Sequence, residues 1–173
     1  MRHKKCAFCL KRITGKPYKK GKKYFCSLKC KEEYYLNDTK TLTKELDKAM
    51  SQLVRSKGVC EASDVSSCGG ELQDAHFISR SNLSLRWDIM NHLSLCYKHH
   101  FFFAHRNPFE FVLWFEKKYP ERYNYLKFAR TKSKKWTPKE MRETLKNIKN
   151  SNLKALVRFY GEYIYEKTHN TTA

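Results

Sequence analysis

The sequence predicts an α+β protein: a small zinc-stapled core, preceded by an N-terminal four-cysteine zinc finger and flanked mostly by helices. Three observations carry that expectation. Cys6-x2-Cys9 and Cys26-x3-Cys30 are two close pairs sixteen residues apart, the pattern of a four-thiolate zinc site. The stretch from Cys60 to His105 gathers three of the seven cysteines and five of the seven histidines. Beyond it, proline and capping residues punctuate apolar stripes of helical period.

Taken in order, residues 1–36 form the finger. Its two cysteine pairs enclose a Lys-rich segment broken by Gly15, Pro17 and Gly21, as a hairpin or zinc-ribbon loop requires. Cys30 is expected to open a helix through KEEYYL. Lys19, Lys20, Lys22 and Lys23 are either a solvated face or grips for phosphates. Residues 37–57 read as a connector helix with Leu42, Leu46, Ala49, Met50 and Leu53 on one stripe, Thr41 or Thr43 as cap and Gly58 as its end. Residues 58–107 form the core, with DAHFIS and LSLC as strands and CYKHHFFFAH as the start of a helix. Residues 108–173 are a helical region. Asn107-Pro108-Phe109-Glu110 and Thr137-Pro138-Lys139-Glu140 each supply a cap, a first-turn proline and an acid at the third helical position. The second opens a helix with Met141, Leu145 and Ile148 on one face. A last helix is expected from about 153 to 165.

Composition narrows the partners. The formal net charge is +19, from 36 Lys+Arg against 17 Asp+Glu. So large an excess points to a polyanion, because each neutralised phosphate releases condensed counterions. No apolar run is long enough to span a bilayer and no signal peptide precedes the first cysteines, so no membrane role is expected. Apolar residues are 40% of the chain, enough for a modest core that metal staples would help. An odd number of cysteines in close pairs beside histidines favours metal thiolates over disulfides, and hence a reducing, cytoplasmic compartment.

The central stretch carries the chemistry. Cys60, Cys68, Cys96 and His99 are two pairs able to hold a second structural zinc, with Cys96 and His99 at i and i+3 of one helix. His100 is rotated about 100° from His99 and must face elsewhere. His76 lies in the first strand, where a neutral imidazole near pH 7 suits a general base. Asp74, two residues away on the same strand face, could bind a catalytic metal with His100 or orient the base. His105 falls about 140° from His100 on a continuous α-helix, and its role, ligand or bystander, stays open. His3, His92 and His169 are read as ordinary surface or core residues, and Phe101, Phe102 and Phe103 as core rather than a stacking platform. Trp87 is open between packing and stacking. Arg80, Arg86, Lys98 and Arg106 are suitably placed to hold phosphates.

The spacing His76-x14-Asn91-x8-His100 resembles the HNH nuclease motif, in which strand, loop, strand and helix wrap one metal in a treble-clef-like ββα-metal core. The segment DAHFISRSNLSLRWDIMNHLSLCYKHHFFFAH is similar to the phage NinG/Rap recombination endonucleases, over roughly residues 58–150. That resemblance implies His76, Asn91 and His100 as the catalytic set, with Asn91 pinning the connecting loop. It further implies one catalytic divalent ion (Mg²⁺ or Mn²⁺) beside the two structural Zn²⁺. Its substrate would be branched or single-stranded DNA arising in phage recombination or replication, inside a bacterial host, with a homodimer as one arrangement. Three departures stand out: Ala75 where many HNH enzymes place a ligand, His99 for a usual cysteine, and seven residues between Cys60 and Cys68. Against the endonuclease stands a non-catalytic, zinc-dependent nucleic-acid-binding protein. An RNA-directed or site-specific homing nuclease is a third reading, but no base-reading element is identifiable.

Overall fold

The structure, a computed structural model, describes residues 4–150. The helix expected over 153–165, and His3 and His169, lie outside the described residues.

The finger begins with a tight turn through Cys6 and Cys9, closed by bonds from Cys6 N–H to the Lys11 carbonyl (2.9 Å) and from Leu10 N–H to the Cys6 carbonyl (3.0 Å). Strands β1 (Tyr18–Lys20) and β2 (Lys23–Phe25) form an antiparallel hairpin turned at Gly21, whose φ of 58° suits glycine. Helix α1 (Leu28–Leu36) starts two residues before the expected Cys30, because Ser27 caps it: the Ser27 Oγ accepts from Cys30 N–H at 3.1 Å. Phe25 is fully buried, with Tyr34 and Tyr35 ring centroids 5.4 and 6.0 Å away.

Helix α2 (Thr39–Arg55) carries the apolar stripe read from the sequence and also buries Val54. Its cap is Asp38 rather than Thr41 or Thr43. A carboxylate one residue before the helix reaches Lys40 N–H at 3.3 Å, and Thr41 donates its hydroxyl to the same carboxylate at 2.8 Å. Strands β3 (Leu72–His76) and β4 (His92–Cys96) pair antiparallel, with Asp74 opposite Ser94 and His76 opposite His92. Cys96 therefore ends a strand instead of lying on the helix, which follows from Tyr97. From His99 to His105 that helix is a π-helix, with i→i+5 hydrogen bonding.

Two further helices, α3 (Pro108–Lys118) and α4 (Pro120–Ala129), follow. The second was not expected: Pro120 ends α3, as read, but also serves as the first residue of α4. Asn107 makes no side-chain cap to α3; its Nδ2 donates instead to the Phe102 carbonyl at 2.7 Å and closes the π-helix. Helix α5 (Pro138–Asn150) opens on a reciprocal capping box, Thr137 with Glu140.

Two apolar clusters hold these elements together. In one, Leu46, Met50 and Val54 of α2 meet Trp87, Ile89 and the Met141–Leu145–Ile148 face of α5. In the other, Ala75, Leu93 and Leu95 of the sheet meet Phe111 and Phe115 of α3 and Leu126 of α4. Each cluster runs across the expected divisions at 57/58 or 107/108: α2 and α5 share a core with Trp87 and Ile89 of the segment between the strands, and α3 and α4 share one with the central sheet. No helix among the described residues is long and apolar enough to cross a membrane.

Candidate metal centres and the central cavity

Cys6, Cys9, Cys26 and Cys30 converge, with one ligand atom from each within 4.8 Å of the others, and could hold zinc. The Cys9–Cys26 and Cys26–Cys30 sulfur separations are 3.6 and 3.4 Å. Thiolates 2.3 Å from one tetrahedral ion would stand roughly 3.8 Å apart. Burial alone would push the Cys6 thiol up, but backbone N–H groups of Cys9, Cys26 and Phe8 outweigh it and hold the thiol below its usual value. The donor set fits a structural zinc.

Cys60, Cys68, Cys96 and His99 form the second group. His99 Nδ1 lies 3.3, 3.9 and 3.2 Å from the sulfurs of Cys60, Cys68 and Cys96. A nitrogen and a sulfur sharing a tetrahedral zinc stand roughly 3.5 Å apart. The other ring nitrogen, Nε2, is 2.9 Å from Ser66 Oγ, the kind of outer partner that fixes which nitrogen faces an ion. Gly69 N–H approaches Cys96 Sγ at 3.5 Å. Together with His99 N–H it keeps the Cys96 thiol below its usual value despite burial. The sequence showed the four ligands; it gave no sign of Ser66.

Beside this cluster a cavity of about 870 Å³ runs round β3, lined by Asp74, His76, Arg80, His92, His100 and His105 among others. The pleat sorts its walls. Asp74 and His76 project on one face of β3, and the cross-strand neighbour His92 meets both: His92 Nδ1 is 2.8 Å from Asp74 Oδ1, and its ring centroid is 4.3 Å from that of His76. His92 Nε2 is 2.9 Å from the Arg86 carbonyl. Asp74, His76 and His92 are also a three-ligand group that could hold an ion. Two of the three, Asp74 and His92, are hydrogen-bonded to each other. His92, read as ordinary, is thus buried at the centre of the site. The signal that finds it is strand register, which places it opposite His76.

On the neighbouring face stands Gln73, and it is Gln73 that His100 meets: His100 Nδ1 to Gln73 Oε1 is 2.7 Å. Asp74 and His100, expected to share an ion, line the same cavity, each with its own hydrogen-bond partner: His92 for Asp74 and Gln73 for His100. His100 Nε2 instead lies 3.2 Å from His105 Nε2. The 140° separation assumed an α-helix; the wider π-helical turn brings residue i+5 back over residue i. With Gln73 accepting the Nδ1 proton, His100 presents an unprotonated Nε2 toward His105.

Burial, and then the neighbouring His92, push the His76 imidazole down to about 4. It is therefore neutral at pH 7, with one nitrogen free to accept. Burial, then His105, lowers His100 as well. Asn91 is fully buried and ties the 77–91 loop from within: its Oδ1 accepts from Ile78 N–H at 2.6 Å, and its Nδ2 donates to the Ile78 and Leu85 carbonyls at 2.9 and 3.1 Å.

The basic residues divide. Arg80 is exposed at the cavity rim. Arg86 is taken up by Asp47, with Nε and Nη2 donating at 3.0 and 2.7 Å, so its fork is turned from solvent phosphates by a nearby acid on α2. Lys98 reaches the Ser67 carbonyl and hydroxyl, both at 2.9 Å, and staples the 60–70 loop. Arg106 lies over Phe101 and Phe102, 4.9 and 5.6 Å from their centroids. Trp87 packs: it is buried, with Nε1 donating to Asp47 at 2.8 Å. Of the phenylalanine run only Phe103 joins the core, edge-on to Phe111 and Trp114; Phe101 and Phe102 are exposed.

Comparison with protein-family models, with curated proteins and with solved structures finds no match to this chain.

Proposed function

We propose that the protein is a metal-dependent DNA endonuclease of the HNH, ββα-metal type, allied to the phage NinG/Rap recombination enzymes and selective for branched or single-stranded DNA. The observation that carries this reading is the cavity. It brings a neutral, half-buried imidazole, His76, into one space with a facing pair, His100 and His105, beside a loop that Asn91 ties together from within.

In that reading His76 accepts a proton from water as it attacks phosphorus. The Asp74–His92 pair holds the wall behind His76 and fixes its ring. His100 and His105 would hold the divalent ion, which when bound supplies positive charge to the scissile phosphate and the departing oxygen. Gln73 orients His100 through Nδ1, and Arg80 at the rim meets a flanking phosphate. Two imidazole ligands suit a softer ion than magnesium, so cutting should run faster in Mn²⁺ than in Mg²⁺.

The test is cleavage of labelled linear, forked and four-way DNA in each metal, beside His76→Ala. Loss of cutting by roughly 100-fold or more, with DNA binding retained, is expected. Tight binding without cutting in any metal would sink the enzyme and leave a zinc-stapled nucleic-acid-binding protein, with Ala75 marking a site short of a ligand.

A further inference from the structure

The π-helix has a second face that the catalytic reading does not use. Phe101 and Phe102 stand on it together with Tyr97, from the turn that opens the same helix, the three being 36, 47 and 47% exposed. Their rings form one surface: Tyr97 and Phe101 are parallel within 4° at 5.8 Å, and Phe102 stands edge-on to Phe101 at 5.0 Å. The Arg106 guanidinium lies across both phenylalanines. Tyr97 is seated on Gly70, where an added Cβ would stand 2.8 Å from the Tyr97 Cβ, so the 60–70 loop fixes this end of the surface.

Three exposed rings side by side are an unusual use of surface in a chain this polar. A self-packing role is met by Phe103, which turns inward, and leaves Phe101 and Phe102 unexplained. Charge complementarity decides what fits. A net charge of +19 and a guanidinium laid on the rings favour a polyanion that also offers flat apolar faces. Unpaired nucleotides offer both; duplex DNA hides its base faces in the stack.

We propose that Tyr97, Phe101, Phe102 and Arg106 form a stacking platform for the unpaired bases of single-stranded DNA. Phe101 follows His100 and Arg106 follows His105, so the platform shares its helix with the two histidines of the cavity and sits on a different face of it. The inference deepens the nuclease reading by naming the single-stranded arm of its substrate as the part gripped. Its test is binding and does not depend on cleavage.

The experiment measures binding of the full chain to a labelled thymidine oligonucleotide, to an abasic strand of equal length and to duplex DNA. The parent is compared with Phe101→Ala/Phe102→Ala and with Phe101→Leu/Phe102→Leu, which keeps apolar bulk without a π-face. Zinc content and thermal unfolding confirm that both fold. The parent should prefer the thymidine strand over the abasic strand by roughly tenfold. Both variants should lose that preference while binding duplex like the parent. Equal affinity of the parent for the thymidine and abasic strands would overturn the platform, as would a leucine variant that keeps the preference. A parent dimer made monomeric by either variant, with strand affinity unchanged, would assign the surface to self-association and also overturn it. In each overturning case, metal-dependent cutting of forked DNA by the parent would leave the nuclease reading standing.

Discussion

Leu10 adopts φ 62° in the turn that carries Cys6 and Cys9, and its side chain is 71% exposed. A left-handed conformation costs a side-chain-bearing residue roughly 1–2 kcal/mol, and an exposed leucine recovers little of that through burial. We predict that Leu10→Gly stabilises the finger by about 1 kcal/mol, allowing for the added freedom of glycine in the unfolded chain. Chemical denaturation followed by Tyr fluorescence of the finger would show it, and an unchanged midpoint would refute it. At the second cluster, Ser66→Ala should weaken zinc affinity roughly tenfold by freeing the far nitrogen of His99, read by competition with a chromophoric chelator. A Ser66→Ala protein with parental affinity would remove Ser66 from the account. Ligand identity was legible in the sequence at this scale, because cysteine pairs announce themselves by spacing. Ser66 and His92 were not, since neither lies near its partners along the chain.

The elements themselves were largely legible where period and caps agree, as in α2 and α5. The sequence failed where one residue changes meaning with its neighbours. Pro120 both ends and begins a helix, and the His99–His105 turn carries no mark of its wider winding. That winding is what brings His105 to His100. Between elements, Asp47 of α2 holds Arg86 and Trp87 of the 77–91 loop. Burial opposes ionisation of Asp47, but bonds from Arg86 and Trp87 prevail and hold its carboxyl below the usual range. A lowered folded pKa contributes stability above the unfolded value, about 3.9, which is lost as pH falls through the folded one. The melting-temperature gap between the parent and Asp47→Asn should therefore be widest near neutrality and close as pH falls through the lowered pKa of Asp47; a gap constant with pH would exclude the ion pair as its cause. Asn91→Ala should cost roughly 3 kcal/mol, because it leaves buried loop groups unpaired. Denaturant unfolding would measure this, and a loss under about 1 kcal/mol would mean the loop is held elsewhere.

Across the whole molecule the later helices are structural parts of the centre. Arg122 of α4, almost wholly enclosed, donates to the carbonyls of Met90 and His92 at the entry to β4. The positive excess is likewise a property of the whole. DNA affinity should fall steeply with salt, with a log–log slope steeper than about −4 if five or more phosphates are neutralised. A shallow slope would point to an apolar partner instead.

The second zinc-capable cluster is unevenly enclosed: Cys60, Cys96 and His99 are buried, whereas Cys68 is exposed. An ion held there would exchange through one door. Oxidants and chelators would reach Cys68 before the other three ligands, and loss of that single sulfur would slacken the 60–70 loop on which Tyr97 rests. Under peroxide, ion occupancy and strand affinity would then decline together, with Cys68 as the fuse.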